Sequence, residues 1–273
     1  MKKYCEIFKK CSVIGKLSFL VALVFISIAI LCPLLCKYPY NIPSASSLIP
    51  PSIEHILGTD DLGIDLWSQI CYGGRISITL GISTAVLAGT FGSFVGIISG
   101  YYGGLVDKFL MRFTDLMLVL PQLPVMIVLA AFFGPNLKNV IIVLSIFSWV
   151  GPARIIRSKV ISIRDENYIE FAKSCGASFF HILRKHILPQ IFPLVSISMV
   201  KIISKAIIAE SSLSFLGLGD PVSKSWGMIL NHAIDFDGIY FTNYWKWWIA
   251  APLLSIIILA LSFAFIGKEI ENF

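Results

Sequence analysis

The chain has 273 residues, 56% of them hydrophobic and 14% charged, and its mean hydropathy of +0.82 is too high for a water-soluble domain of ordinary composition. The net charge of +6 comes from basic residues scattered between apolar stretches, which argues against a nucleic-acid partner and for an all-α protein that crosses a membrane repeatedly. Six cysteines show no CxxC or Cys/His ligand spacing and are read as free thiols.

Residues 1–16 carry Lys2, Lys3, Lys9, Lys10 and Lys16 ahead of the first apolar run, 17–36. A spanning helix needs about 20 apolar residues because the hydrocarbon core is roughly 30 Å thick. The run meets that length, and no small-x-small site directly follows it, so it is read as an uncleaved anchor. A polar loop, 37–74, comes next. Its Asp60, Asp61 and Asp65 lack the ligand series and Gly-then-Glu ending of an EF-hand and are read as capping a turn. Four histidines, His55, His181, His186 and His232, are too scattered for one metal cluster.

A core at 75–267 holds five more spans, at 76–100, 113–133, 140–156, 191–213 and 247–266, and 268–273 form a tail. Threading all six with the amino terminus inside places fifteen of the 22 Lys and Arg residues in inside segments and five in outside segments, the bias expected of cytoplasmic termini. Outer loops then fall at 38–74 and 214–246, with Trp226, Trp245, Trp247 and Trp248 near the outer interface. In the second span, Gly92, Gly96 and Gly100 form a small-residue stripe that permits close helix packing.

The inside stretch 151–188 is long for a connection and has its own helical pattern. Asn167 followed by Glu170 reads as a capping box that starts a helix near Tyr168, with Ile169, Phe171, Ala172 and Cys175 on its apolar side. Gly176 ends that helix, and a second carries Phe179, Phe180, Ile182 and Leu183 before Pro189. On the residues alone, an amphipathic hairpin lying on the membrane fits equally well.

Lys201, Lys205 and Glu210 lie in the fifth span, where ionisable groups face a partner or a wet cavity, and all three are read as candidates for a pathway through the protein. The two lysines share a helical face and Glu210 is offset from it. They either line a path and attract a substrate carboxylate or pair with acidic groups of another subunit.

At the hairpin the residues match a family. Glu170-Phe171-Ala172-x-x-x-Gly176, continuing to His186-Ile187-Leu188-Pro189, resembles the EAA loop of ABC-importer permeases, with Phe171 for the middle Ala and His186 for an Ile. Further blocks resemble its dipeptide, oligopeptide and nickel branch: Leu57 to Asp65, Tyr72-Gly73-Gly74-Arg75-Ile76-Ser77, Gly100 to Gly104 with Asp107 and Met111-Arg112, and Glu210 to Gly219 with Ser225-Trp226-Gly227. Departures are Ile64 in place of Arg and the tail Gly267-Lys268-Glu269 in place of a more acidic ending.

The resemblance implies a type I importer permease fold of six transmembrane helices in the bacterial cytoplasmic (inner) membrane. It implies a homologous second permease subunit, cytoplasmic ATP-binding subunits that hold ATP and Mg, an extracytoplasmic solute-binding protein, and a peptide-like substrate, with nickel and glutathione as alternatives. Glu170, Ala172, Gly176, His186, Leu188 and Pro189 would then couple to the ATPase. No phosphate-cradling loop accompanies Gly15-Lys16 or Gly267-Lys268, so this chain holds no cofactor and is not the enzyme. A secondary transporter is the rival from another class, but it has no need to dock an ATPase.

Overall fold

The computed structural model describes residues 12–271, so the basic segment from Lys2 to Lys10, together with Cys5 and Cys11, lies outside the described residues. Those described are almost entirely helical, with one isolated bridge, Thr59 to Asp65, and no strand. Helix α1 (Val13–Leu35) starts on Ser12, whose hydroxyl accepts from the Gly15 N–H. Ser12 also donates to Glu269, which brings the two ends of the described chain to one end of the bundle.

Helix α2 (Leu66–Tyr102) is 37 residues long, about 55 Å at 1.5 Å per residue, and so overhangs any bilayer core. It begins ten residues before the expected span because Asp65 caps it, accepting from the Ser68 N–H at 2.9 Å and the Ser68 hydroxyl at 2.8 Å. Asp60 binds the N–H groups of Leu62 and Ile64 and the Gln69 amide, so the acidic loop forms capped turns as expected. After Gly103 (φ +66°) the chain turns into α3 (Gly104–Val119) and α4 (Gln122–Phe133).

The expected continuous span 113–133 is instead broken by 90° between α3 and α4. Pro121 has no N–H to continue the ladder and drives Leu120 to extended backbone (ψ 130°). By contrast, the span expected at 140–156 runs much further. Helix α5 (Leu137–Ser148) passes through helical Trp149 into α6 (Val150–Arg164), a rod over 137–164, so the first part of the expected inside loop is membrane-helix continuation.

The glycine stripe explains that extension. A Cβ at Gly92 would sit 2.3 Å from the Trp149 carbonyl, at Gly96 2.6 Å from the Ala153 carbonyl and at Gly100 2.8 Å from Val160. The stripe is thus where α6 of the same chain lies backbone-to-backbone along α2. At its foot, Arg157 forks onto Asp107 and Arg164 donates to the Gly100 carbonyl at 3.1 Å.

Two short helices, α7 (Asn167–Ser174) and α8 (Phe179–Ile182), are followed by a π-helical turn (Leu183–Ile187) and then α9 (Leu188–Phe215) without a break. Pro189 lies in the first turn of α9, directly after the widened turn, and Pro193 removes one further helical N–H donor inside α9. Helices α10 (Trp226–Asp235), α11 (Trp245–Trp248) and α12 (Ala250–Glu271) complete the chain. Among the described residues five helices are long and apolar enough to span, six if the bent α3–α4 pair counts as one.

Two of the tryptophans expected at an interface are core residues instead. Trp226 and Trp248 are buried, and the Trp226 indole donates to the Ile70 carbonyl at 2.9 Å. Gly73 and Gly74 make room for it against α2.

Candidate functional site

Three features meet along α9: the α7–α8 hairpin at one end, a polar knot at the other, and a cleft on its side. The hairpin is anchored by Ile169, Ile182 and Ile187, which are buried with Ile156, Val160, Ile163 and Ile97. Phe179 packs its ring 4.7 Å from Tyr101, and Tyr168 accepts from the Gln190 amide at 2.8 Å. Lys173 lies over the Tyr101 ring, 5.1 Å from its centroid.

The capping box does not form. Glu166 occupies the cap with no side-chain bond and Asn167 is already helical, so the helix starts on backbone geometry alone. Its end is as expected: Gly176 is left-handed (φ +81°), its N–H donates to Lys173 and the Ala177 N–H to Ala172, a Schellman closure. A Cβ at Gly176 would meet nothing within 4 Å in this chain.

The apolar side of the hairpin is narrower than the sequence pattern suggests. Ile169 points inward, but Phe171 is 71% and Phe180 77% exposed, because residues two apart on a helix cannot share a face. Glu170, Gly176, Leu188 and Pro189 are exposed, while Ala172 and His186 are half-buried. The hairpin therefore presents aromatic side chains, with Arg184 and Lys185 nearby, outward from an isoleucine base.

At the opposite end Glu210 is only 2% exposed. Its carboxyl accepts from Ser214 at 2.7 Å and from Ser77 at 3.4 Å, with Ser211 at 3.5 Å. Ser225, which caps α10, donates to Ser214 at 3.4 Å. Three blocks thus converge on one carboxyl: Glu210 to Gly219, the nearby Ser225 to Gly227, and the distant Gly73 to Ser77.

Lys201 and Lys205 lie elsewhere. Both line a cleft of about 470 Å³ between α4, α5, α6 and α9, with Gln122, Met126, Phe147 and Ser212 on its walls; Glu210 does not line it. Lys201 pairs with Glu271 of α12 at 2.6 Å, a partner within its own chain that neither sequence expectation included. Among the described residues Lys205 has no ion-pair or hydrogen-bond partner, and no acidic side chain lines the cleft.

Residues 92–271 match the family described as binding-protein-dependent transport system inner membrane component. The dipeptide transport system permease protein DppC of Bacillus subtilis (strain 168) is 36% identical over 226 residues, 82% of this chain and 69% of that protein. The oligopeptide transport system permease protein OppC of the same organism is 33% identical over 263 residues, 95% of this chain and 84% of that one. Among solved structures, the inward-facing MetNI methionine ABC transporter superposes with a TM-score of 0.55 at 16% identity, covering 72% of this chain and 92% of that chain, and shows the shared fold. A secondary transporter is set aside by these matches, and the chain belongs to the family of inner membrane components of binding-protein-dependent transport systems.

Proposed function

We propose that this chain is one of two homologous permease subunits of an ATP-binding-cassette importer for peptides, seated in the bacterial cytoplasmic membrane. ATP hydrolysis belongs to cytoplasmic ATP-binding subunits, and an extracytoplasmic solute-binding protein delivers the substrate. The hairpin end of the bundle, towards which Ser12 and Glu269 also lie, is cytoplasmic, and the 36–65 loop with α10 faces outside. The distribution of Lys and Arg supports that orientation.

The observation that carries the reading is the hairpin: two exposed phenylalanines and a left-handed glycine stand on a rigid base joined without a break to α9. A force applied there reaches α9 directly, and α9 lines the cleft. Glu170, Ala172, Gly176, His186, Leu188 and Pro189 form or flank the docking face, Lys201 and Lys205 lie on the path, and Glu210 braces the outer end of α9. The relatives named as dipeptide and oligopeptide permeases favour a peptide over nickel or glutathione, as does a cleft with lysines and no carboxylate, since like charges repel a divalent cation.

The test is reconstitution of the chain with its neighbouring permease, ATP-binding and binding-protein components in nanodiscs. ATPase activity should rise on adding peptide with the binding protein. Stimulation by nickel or glutathione alone would keep the architecture and overturn the substrate; no associated ATPase would overturn the importer.

A further inference from the structure

Helix α3 borders an apolar groove and carries two bases beside it. Its two acids are both engaged from α6, Asp107 by Arg157 and Asp115 by Arg154. Its two bases, Lys108 and Arg112, are exposed, and among the described residues neither has an ion-pair or hydrogen-bond partner. The groove, of about 580 Å³, runs between α2 and α3 and is lined wholly by apolar side chains, among them Phe91, Phe94, Ile98, Leu105 and Phe109. At the end far from the α2–α3 turn, Phe91 and Phe113 both pack on Trp149, ring centroids 5.2 and 6.0 Å away. Lys108 follows Leu105 by three residues and Arg112 follows Phe109 by three, the spacing of neighbours on one helix face. Both bases therefore flank the α3 edge of the groove.

We propose that the groove holds an anionic phospholipid of the cytoplasmic leaflet, one acyl chain along Phe91 to Ile98 and the phosphate between Lys108 and Arg112. The choice of leaflet rests on the orientation given above: Tyr101 and Tyr102, which end α2, both pack on Phe179 of the hairpin, so the α2–α3 turn lies on the hairpin side. Bases near that turn stand at headgroup depth, and basic sites between helices on the cytoplasmic side suit anionic headgroups. A phosphate accepts from an ammonium and a guanidinium together, and a zwitterionic lipid offsets that attraction with its own cation. A helix of the second permease would have to carry unpaired acids into apolar surroundings to match the same two charges, at the cost of their desolvation. The lipid needs no such arrangement, because its phosphate already sits at the water boundary.

The experiment uses the full chain with its neighbouring importer components in phosphatidylcholine nanodiscs. A trace of phosphatidylglycerol with a diazirine in one acyl chain is added, or the matching phosphatidylcholine probe, and the crosslinked peptides are mapped by mass after illumination. The phosphatidylglycerol probe should label residues 91–110 at least about fivefold more than the phosphatidylcholine probe, and unlabelled phosphatidylglycerol should compete. Lys108→Gln with Arg112→Gln should remove that excess without moving the unfolding midpoint, and Lys108→Arg with Arg112→Lys, which keeps both charges, should retain it. Equal labelling of wild type by the two probes means bulk bilayer contact only and overturns the proposal, as does an excess that survives the Gln pair. Labelling of the isolated chain that vanishes in the assembled importer means that the second permease covers the groove, which also overturns it. Orientation is tested separately with Ser47→Cys, at an exposed position of the 36–65 loop, against a membrane-impermeant maleimide on intact cells, with the unsubstituted chain as the control. Labelling there from outside supports the cytoplasmic leaflet; labelling only after permeabilisation overturns the orientation and the leaflet with it, whatever the nanodiscs show.

Discussion

The two ends of α9 are built in opposite ways. At the Glu210 end a carboxyl and several serine hydroxyls are sealed from solvent, with Ser214 of α9 itself, Ser77 of α2 and the α10 cap Ser225 joined in one knot. At the hairpin end the contacts with the rest of the chain are mainly apolar, from isoleucines and Phe179 on one face with one Tyr168–Gln190 hydrogen bond beside them, and Phe171 and Phe180 on the other face are left bare. A buried polar knot costs stability unless complete and so fixes one arrangement, whereas an apolar base with an empty outer face leaves room for a partner to complete it. The helix is therefore held at one end and offered at the other, the arrangement that the proposed coupling role would need.

Breaking the knot should have the largest effect. Glu210→Ala leaves the Ser77 and Ser214 hydroxyls without their acceptor in a dry site, a loss of about 3 kcal/mol. We expect a lower thermal unfolding midpoint in detergent and less folded protein in the membrane, with transport falling in proportion. Glu210→Gln keeps an acceptor and should recover most of the midpoint; a midpoint unchanged in Glu210→Ala would mean the knot fixes nothing.

The hairpin should behave in the reverse sense. Gly176→Trp puts bulk where this chain has no neighbour, so internal packing predicts little change in stability beyond the strain of a left-handed side chain. A docked ATPase would be displaced, and peptide-stimulated ATP hydrolysis should fall at least about tenfold, the equivalent of 1.4 kcal/mol. Gly176→Asn tolerates the same backbone without the bulk and should stay close to wild type. If Gly176→Trp loses ATP hydrolysis only in proportion to a lowered unfolding midpoint, or not at all, the glycine is a helix terminator only. A somewhat smaller loss, about tenfold in affinity for the ATP-binding subunit, is expected for Phe171→Ser and Phe180→Ser together, from lost apolar burial at the contact. Their unfolding midpoint should not move, which separates docking from folding.

Much of this contrast was legible in the residues and part of it was not. The spans, the hairpin and the glycine that ends α7 follow from apolar length, helical spacing and left-handed preference, all local properties. Helix spacing could also have separated Phe171 from Ile169, since two positions apart means opposite faces. The 90° break carries a local signal in Pro121, outweighed by the unbroken apolar run around it. What spacing could not supply is which distant segments meet. Ser77 and Ser225 close on Glu210 from other helices, and Glu271 reaches Lys201 from the end of the chain. The tryptophans make the same point: a composition rule places indoles at a membrane interface, but the Ile70 carbonyl gives Trp226 a partner within the core.

Because of that pairing, the two lysines need separate tests. Lys201 and Glu271 are both substantially exposed, and an exposed ion pair contributes under about 1 kcal/mol, so Lys201→Gln should change transport little. Lys205 faces a cleft without a counter-charge, and a carboxylate arriving there would gain a charge-assisted hydrogen bond worth about 1.5–3 kcal/mol. Lys205→Gln should therefore raise the KM for peptides with a free carboxyl terminus about tenfold or more. Peptides amidated at that terminus lack the charge and should be carried equally by wild type and variant. An equal loss for both peptide classes would make Lys205 a packing residue of the cleft wall; an effect on subunit assembly with no change in KM would move it to the interface with the second permease.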